Sequence, residues 1–253
     1  MNFLIDGLNK RRIFLEELIR VKYCKNGPIA YISHLNLAQV FTRALRRANI
    51  PVVISSGFNP RFKISFGPPL PLGISSISEY LDIKLKEEIK AEELVDRLNR
   101  ALPQGLKILR AKIIPSSADS LVKIIDRVSY VITLKLKEKL INLEVKNQKD
   151  ELEDLKKVID KNLKRFVNLE KIVVEKKTKN GIKIVDIKPS ILNIKVQKFQ
   201  NPILELNLDL KIGQPGNLNP RYVAEAWISY YANNFDILQI CRDGLYVKDK
   251  DVI

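Results

Sequence analysis

Cysteine occurs twice, and histidine, methionine and tryptophan once each in the 253 residues. Cys24 and Cys241 stand far apart, without the clustering that a zinc or iron–sulfur site requires, so both are expected as reduced structural thiols. No three-cysteine motif, glycine-rich nucleotide loop or recognisable carboxylate pair occurs, so no metal or cofactor is expected. Apolar runs fall short of the roughly eighteen residues a membrane-spanning helix needs, and the N-terminal stretch lacks the continuous apolar core of a signal peptide. A cytoplasmic protein without a membrane partner is expected. Glycine and proline are sparse, at 10 and 12, which excludes a low-complexity chain.

The most local deficit is of acid. From Leu18 to Ser78 there are eight Lys or Arg and no Asp or Glu, whereas Glu79 to Glu93 carries three basic and six acidic residues. The whole chain has a net charge of +15, and 30 of its 44 basic residues are lysines. Solvated lysines account for part of such an excess, but a switch this sharp points to a polyanionic partner.

What is present reads as an α+β chain. Ile19, Val21 and Tyr23 alternate with Arg20, Lys22 and Cys24, the period of a strand with one apolar face. Ser33 is placed to cap a helix that runs to Ala48, with Leu37, Val40, Phe41, Ala44, Leu45 and Ala48 inward. Pro51 to Ile54 reads as a short strand, Leu81 to Leu85 as another, Ala91 to Leu102 as a helix, and Leu106 to Ile114 as a strand after the Pro103-Gln104-Gly105 break. The order is βαββαβ, and a looser copy follows. It comprises a strand at Tyr130–Leu136, a helix at Lys149–Lys164 with Leu152, Leu155, Ile159 and Leu163 inward, and a strand at Ile172–Glu175. An inserted hairpin around Asn180-Gly181, strands Leu192–Val196 and Ile203–Leu210, a helix at Pro220–Tyr231 and a strand at Ile237–Cys241 complete it. Two tandem ferredoxin-like domains with antiparallel sheets are therefore expected, at residues 17–115 and 116–253, after an extension at 1–16.

Two stretches could carry chemistry. The polar face of the first helix brings Arg43, Arg46 and Arg47 together at i, i+3, i+4 spacing. Their planar guanidinium groups bond phosphate bidentately and stack on bases, although a solvated helix face looks the same in sequence. The segment from Ser55 to Lys63 holds Gly57, Phe58, Asn59, Pro60, Arg61 and Phe62, and basic groups beside aromatics suit a single-stranded nucleic acid. The alternative is that both phenylalanines plug the core. His34 opens the first helix, where an imidazole can pack, touch a phosphate or act as an acid–base group. Lys22 and Lys25 on the first strand complete the expected anion-binding set.

The segments YCKNGPIAYISHLNLAQVFTRALRRANIPVVISSGFNPRFKISFGPPLPLG and SEYLDIKL closely resemble the uncharacterised radical-SAM-linked protein family, whose pattern runs S-H-L-D-L, R-A-L-R-R-A, G-F-N-P-R-P-K and P-L-P-L-G. The match covers about residues 18–115, with a weaker echo at Gly213 to Pro220. Asn36 stands where the pattern has Asp, which removes the carboxylate beside His34, and Phe62 stands where it has Pro. The resemblance implies association with radical S-adenosylmethionine proteins that carry a cobalamin-binding domain.

Three functions follow as expectations. The first is an RNA-binding or substrate-presenting module serving a radical SAM partner in transfer or ribosomal RNA modification, and not an enzyme on its own. The second is a metal-independent endoribonuclease resembling the CRISPR repeat-cleaving enzymes, with His34 as its candidate catalytic group. The third is a protein-interaction adaptor.

Overall fold

The computed structural model describes residues 16–137, 148–178, 181–213, 217–231 and 234–253. The chain is a mixed α+β protein built on one large, mostly antiparallel sheet. Its first half contains β1 (Glu17–Lys25), α1 (His34–Arg47), β2 (Ile64–Phe66), β3 (Ser75–Leu85), α2 (Ala91–Ala101) and β4 (Leu106–Ile114). Here the strands lie in the order β4-β1-β3-β2, every pair antiparallel.

After a short α3 (Leu121–Ile124) come β5 (Arg127–Leu136), α4 (Gln148–Val167), β6 (Val173–Thr178), β7 (Gly181–Asp186), β8 (Ile191–Gln200), β9 (Ile203–Lys211), α5 (Pro220–Tyr231), β10 (Phe235–Val247) and β11 (Lys250–Asp251). The second half orders its strands β10-β5-β9-β8, again antiparallel, with β6 and β7 forming a separate two-stranded sheet.

Two separate sheets are expected from sequence, yet the halves share one. Cys241 and Arg242 of β10 pair in parallel with Ser75 and Ser76 of β3, so a sheet of nine strands runs through both. The N-terminal two residues of β3 lie outside the apolar run that marks the strand in sequence, and their serines give no strand signal. Hydroxyls close the seam: Ser75 donates to the carbonyl of Ile240 at 3.3 Å and Ser76 to that of Arg242 at 3.1 Å.

The expected second strand also moves. Val52 and Ile54 make only isolated bridges, to Leu85 and Phe62, and the continuous strand is Ile64–Phe66. Pro51 has no N–H for a ladder, and Val53 already spends its own on Lys84. Residues 1–15, the Leu152 side chain, Asn180 and part of the 213–220 turn lie outside the described residues.

Each half has its own core. Leu37, Phe41, Ala44 and Leu45 of α1 and Leu94 and Leu98 of α2 pack on Ile19, Val21, Tyr23, Leu81, Ile83 and Leu85. Val40 and Ala48 sit at the margin of this core. In the second, Ile159, Leu163 and Phe166 of α4 and Val223 and Trp227 of α5 cover β5 and β9. Among the described residues no helix is long and apolar enough to cross a membrane.

Candidate nucleic-acid interface

The acid-free segment is acid-free only along the chain. Folding brings carboxylates from elsewhere to several of its cations. Arg20, 4% exposed, makes a bidentate pair with Asp82 at 2.7 and 2.9 Å and also donates to the Asp119 carbonyl at 3.3 Å. Lys22 pairs with Asp251 at 3.0 Å. Lys25, expected as an anion contact, is 2% exposed and points its ammonium at the carbonyls of Ala30 and Ile32, at 3.3 and 3.2 Å. Burial lowers its pKa while nearby Glu79 opposes the shift.

The three arginines of α1 do not form one patch. Arg47 turns to the end of α2 and donates to the Ala101 carbonyl at 2.6 Å, where a cation satisfies an orphan carbonyl. Arg46 instead lies over the Phe62 ring, 5.4 Å from its centroid, and Arg43 is exposed one turn earlier. Lys63 lies on the other side of the short strand from Ile64 and Phe66 by strand alternation, in the field of Glu16.

The two phenylalanines of the loop take opposite roles. Phe62 is half-buried beneath Arg46, whereas Phe58 stands wholly exposed at 106%. The loop base is pinned: Ser55 donates its N–H to the Arg61 carbonyl at 2.8 Å, and the Arg61 N–H returns to the Ser55 hydroxyl oxygen at 3.0 Å. Gly57 takes φ +122°, a conformation side chains rarely adopt, and so lets the tip turn back on itself. Asn59 and Arg61 are exposed beside that tip.

His34 is the first residue of α1, capped by Ser33, whose hydroxyl oxygen accepts the Asn36 N–H at 3.2 Å. Its ring meets Phe66 edge-on at 5.1 Å, and Phe66 meets Phe41 in the core at 5.6 Å. The imidazole is exposed, and among the described residues no group hydrogen-bonds it. Glu79 lines the same small cavity, but among the described residues no carboxylate hydrogen-bonds the imidazole to orient it. Exposed Tyr31 and Leu35 flank it in the chain, and the Tyr31 ring lies against Gly73.

Beneath His34 lies a buried polar cluster that sequence reasoning missed. Arg242 of β10 is 1% exposed and donates to the Glu79 carboxylate at 3.1 and 3.2 Å, to the carbonyls of Pro68 and Pro69 at 3.0 and 3.2 Å, and to the Tyr130 hydroxyl at 3.1 Å. Burial opposes its charge, but Glu79 and Tyr130 outweigh burial and keep it a cation. Burial raises the hydroxyl pKa of Tyr23 and Tyr130, with Glu79 reinforcing both and Arg242 opposing both. The Pro-Pro-Leu-Pro-Leu-Gly motif thus supplies carbonyls to an arginine 174 residues away for Pro68. The cavity that Lys25, His34, Glu79 and this loop enclose measures about 10 Å³, enough for one water and no substrate.

A second basic surface lies on α4. Lys157, Lys161, Lys164 and Arg165, with Asn168 and Tyr231, line a groove of about 710 Å³. Their i, i+4, i+7, i+8 spacing was legible in sequence, though masked by the even spread of lysine over this half.

Across the sheet from α1, Asp251 accepts from Lys22 at 3.0 Å, Arg110 at 2.8 Å and the Tyr80 hydroxyl. These donors outweigh partial burial and hold its carboxyl down at about 2. A depressed carboxyl contributes stability above the unfolded pKa near 4 and loses it as pH falls through the folded value. An NMR titration of the Asp251 carboxyl carbon is therefore expected to show a midpoint near 2, with the β11 amides moving in step; a midpoint at about 4 would contradict it.

The model of a family of uncharacterised proteins conserved in bacteria, DUF2344, matches residues 18–220. The chain belongs to this family. Its match takes in both the first-half motifs and most of the second half. Among curated proteins none matches. Similar solved structures include a Cbf5–Nop10–Gar1 complex, with a TM-score of 0.45 and 9% identity over 92% of this chain and 50% of that one. Others are an H/ACA RNP bound to a substrate RNA containing 2'-deoxyuridine (0.40, 10%, over 92% and 49%) and the archaeal box H/ACA sRNP Nop10–Cbf5 complex (0.38, 8%, over 89% and 46%). This chain spans about half the length of each of those chains. Among the described residues no cluster of His, Cys, Asp or Glu could hold a metal ion.

Proposed function

We propose that this protein binds single-stranded RNA across α1 and the 55–63 loop and presents it to a partner enzyme. The observation that carries the reading is Phe58, fully exposed on a loop pinned at its base, with Arg46 over its neighbour Phe62. A base stacked on such an exposed ring contributes about 1–3 kcal/mol. Arg43, Arg46 and Arg61 supply phosphate contacts, and His34 with Tyr31 extends the surface around the start of α1. The partner is a radical SAM protein with a cobalamin-binding domain, which the motifs of residues 18–115 support by resemblance, and the substrate is transfer or ribosomal RNA. The two strand orders support reading each half as a ferredoxin-like unit, at 17–115 and 116–253, with the β6–β7 hairpin inserted in the second.

Stacking and charge separate experimentally. For a single strand, log K against log salt falls by about 0.7 for each phosphate neutralised. Arg46→Gln combined with Arg61→Gln is expected to flatten the slope by about 1.4 for oligouridylate. Phe58→Ala is expected to weaken binding by about 5- to 150-fold with the slope unchanged. Unaltered affinity in Phe58→Ala, or a flat salt response of the unmodified protein, would end this reading.

A further inference from the structure

On the face of the sheet turned away from α1, three neighbouring strands aim donors at one point. Lys22 comes from β1, Tyr80 from β3 and Arg110 from β4, and all three bond the same carboxylate, that of Asp251. Tyr80 is 1% exposed, so its hydroxyl is a fixed donor rather than a surface rotor. Lys22 lies over the Tyr80 ring at 5.5 Å, which fixes the ammonium as well. The charges do not balance: two cations meet one monoanion, and Lys112, exposed and two residues beyond Arg110 on β4, adds a third cation on that side.

The carboxylate sits on a short strand, flanked by a turn that the Lys248 N–H ties to Asp126 at 3.1 Å and Asp249 ties to Arg127 at 3.2 Å, and by Val252 and Ile253, which pack on the margin of the second core. β11 is two residues long and pairs with β10 only through Tyr246↔Asp251 and Val247↔Lys250. Its turn places Lys248 and Asp249 at φ 48° and 65°, the left-handed region that non-glycine residues enter at a cost.

We propose that Lys22, Tyr80 and Arg110 form a phosphate-binding site, which the chain's own Asp251 occupies and which a phosphate of an inorganic polyphosphate or of an RNA backbone takes over by displacing the β10–β11 turn. A phosphate matches the surplus positive charge that one carboxylate leaves over. The site lies on the opposite face from α1, so it does not depend on the RNA reading above. The tethered carboxylate acts as an intramolecular competitor, present at the millimolar effective concentration typical of short tethers, and it masks the affinity of the site.

Asp251→Asn removes the competitor's charge and keeps its shape. Titrating the full chain with inorganic tripolyphosphate is expected to show binding about tenfold tighter in Asp251→Asn than in the unmodified protein. Asp96→Asn makes the same change in net charge on α2, away from the β10–β11 turn, at an exposed carboxylate that pairs with Arg100 at 2.6 Å, and is expected to leave affinity unchanged. Adding Arg110→Gln to Asp251→Asn is expected to remove the gain. An equal gain in Asp96→Asn, no gain in Asp251→Asn, or a gain that survives Arg110→Gln would each overturn the site. Oligouridylate in a parallel titration separates the sources: the same Arg110-dependent gain assigns an RNA backbone, and a gain confined to tripolyphosphate assigns a small phosphate ligand.

Discussion

Glu79→Gln is expected to lower the unfolding free energy by about 3–5 kcal/mol, the cost of breaking a buried ion pair from one side. The glutamate is 4% exposed and faces two buried cations, Arg242 at 3.1 Å and Lys25, whose charge it supports. A neutral amide leaves both without a counter-charge. Arg242→Met breaks the same pair from the other side and is expected to cost less, because Lys25 remains to balance Glu79. That substitution still abandons the carbonyls of Pro68 and Pro69 and the hydroxyl of Tyr130. The double variant should lose less than the sum, since Arg242→Met removes one of the two buried charges that Glu79→Gln leaves without a partner. Urea unfolding of the four proteins measures all three quantities. Costs below about 1 kcal/mol for Glu79→Gln, or strict additivity, would mean that the cluster is not coupled.

Because Arg242 belongs to the second half and Glu79 to the first, this pair also explains why the halves share a sheet. Both residues were visible in the sequence, but nothing local paired them. Periodicity reports which residues of one strand share a face, and so Ile19, Val21 and Tyr23 or Leu81, Ile83 and Leu85 were readable as core. A charged residue on the apolar side of a strand has no such signal, because its meaning depends on a partner 163 residues away. The same limit governs the anion surface. The arginines of α1 share a helix face by spacing, yet Arg47 is claimed by the end of α2 and Arg46 by Phe62, contacts set by tertiary packing. Lys25 shows it most sharply: in sequence it is one more cation of an acid-free run, and in the fold it is a buried donor that closes the turn leading into α1.

That turn has a second dependence, on Gly105, and Gly105→Ala is expected to cost about 2–4 kcal/mol. Two effects add. The residue has φ +90°, where a side chain is strained by itself, and a Cβ built there would fall 2.4 Å from the carbonyl oxygen of Asn26 and 2.9 Å from Ile29. The obstacle is backbone, which a rotamer change cannot relieve. The Asn26 N–H also donates to the Gly105 carbonyl at 2.8 Å, so the turn between β1 and α1 is fastened at this point to the loop before β4. Moving Asn26 shifts the turn through Gly27–Tyr31 that leads to Ser33 and His34 at the head of α1. Gly105→Ala should therefore lower the melting temperature and displace the His34 ring resonances in the NMR spectrum, while Gly57→Ala, strained at φ +122° but with open space around its Cβ, should lower stability by less and leave His34 in place. Equal losses in the two variants would show that backbone strain alone, and not the contact with Asn26, makes Gly105 necessary.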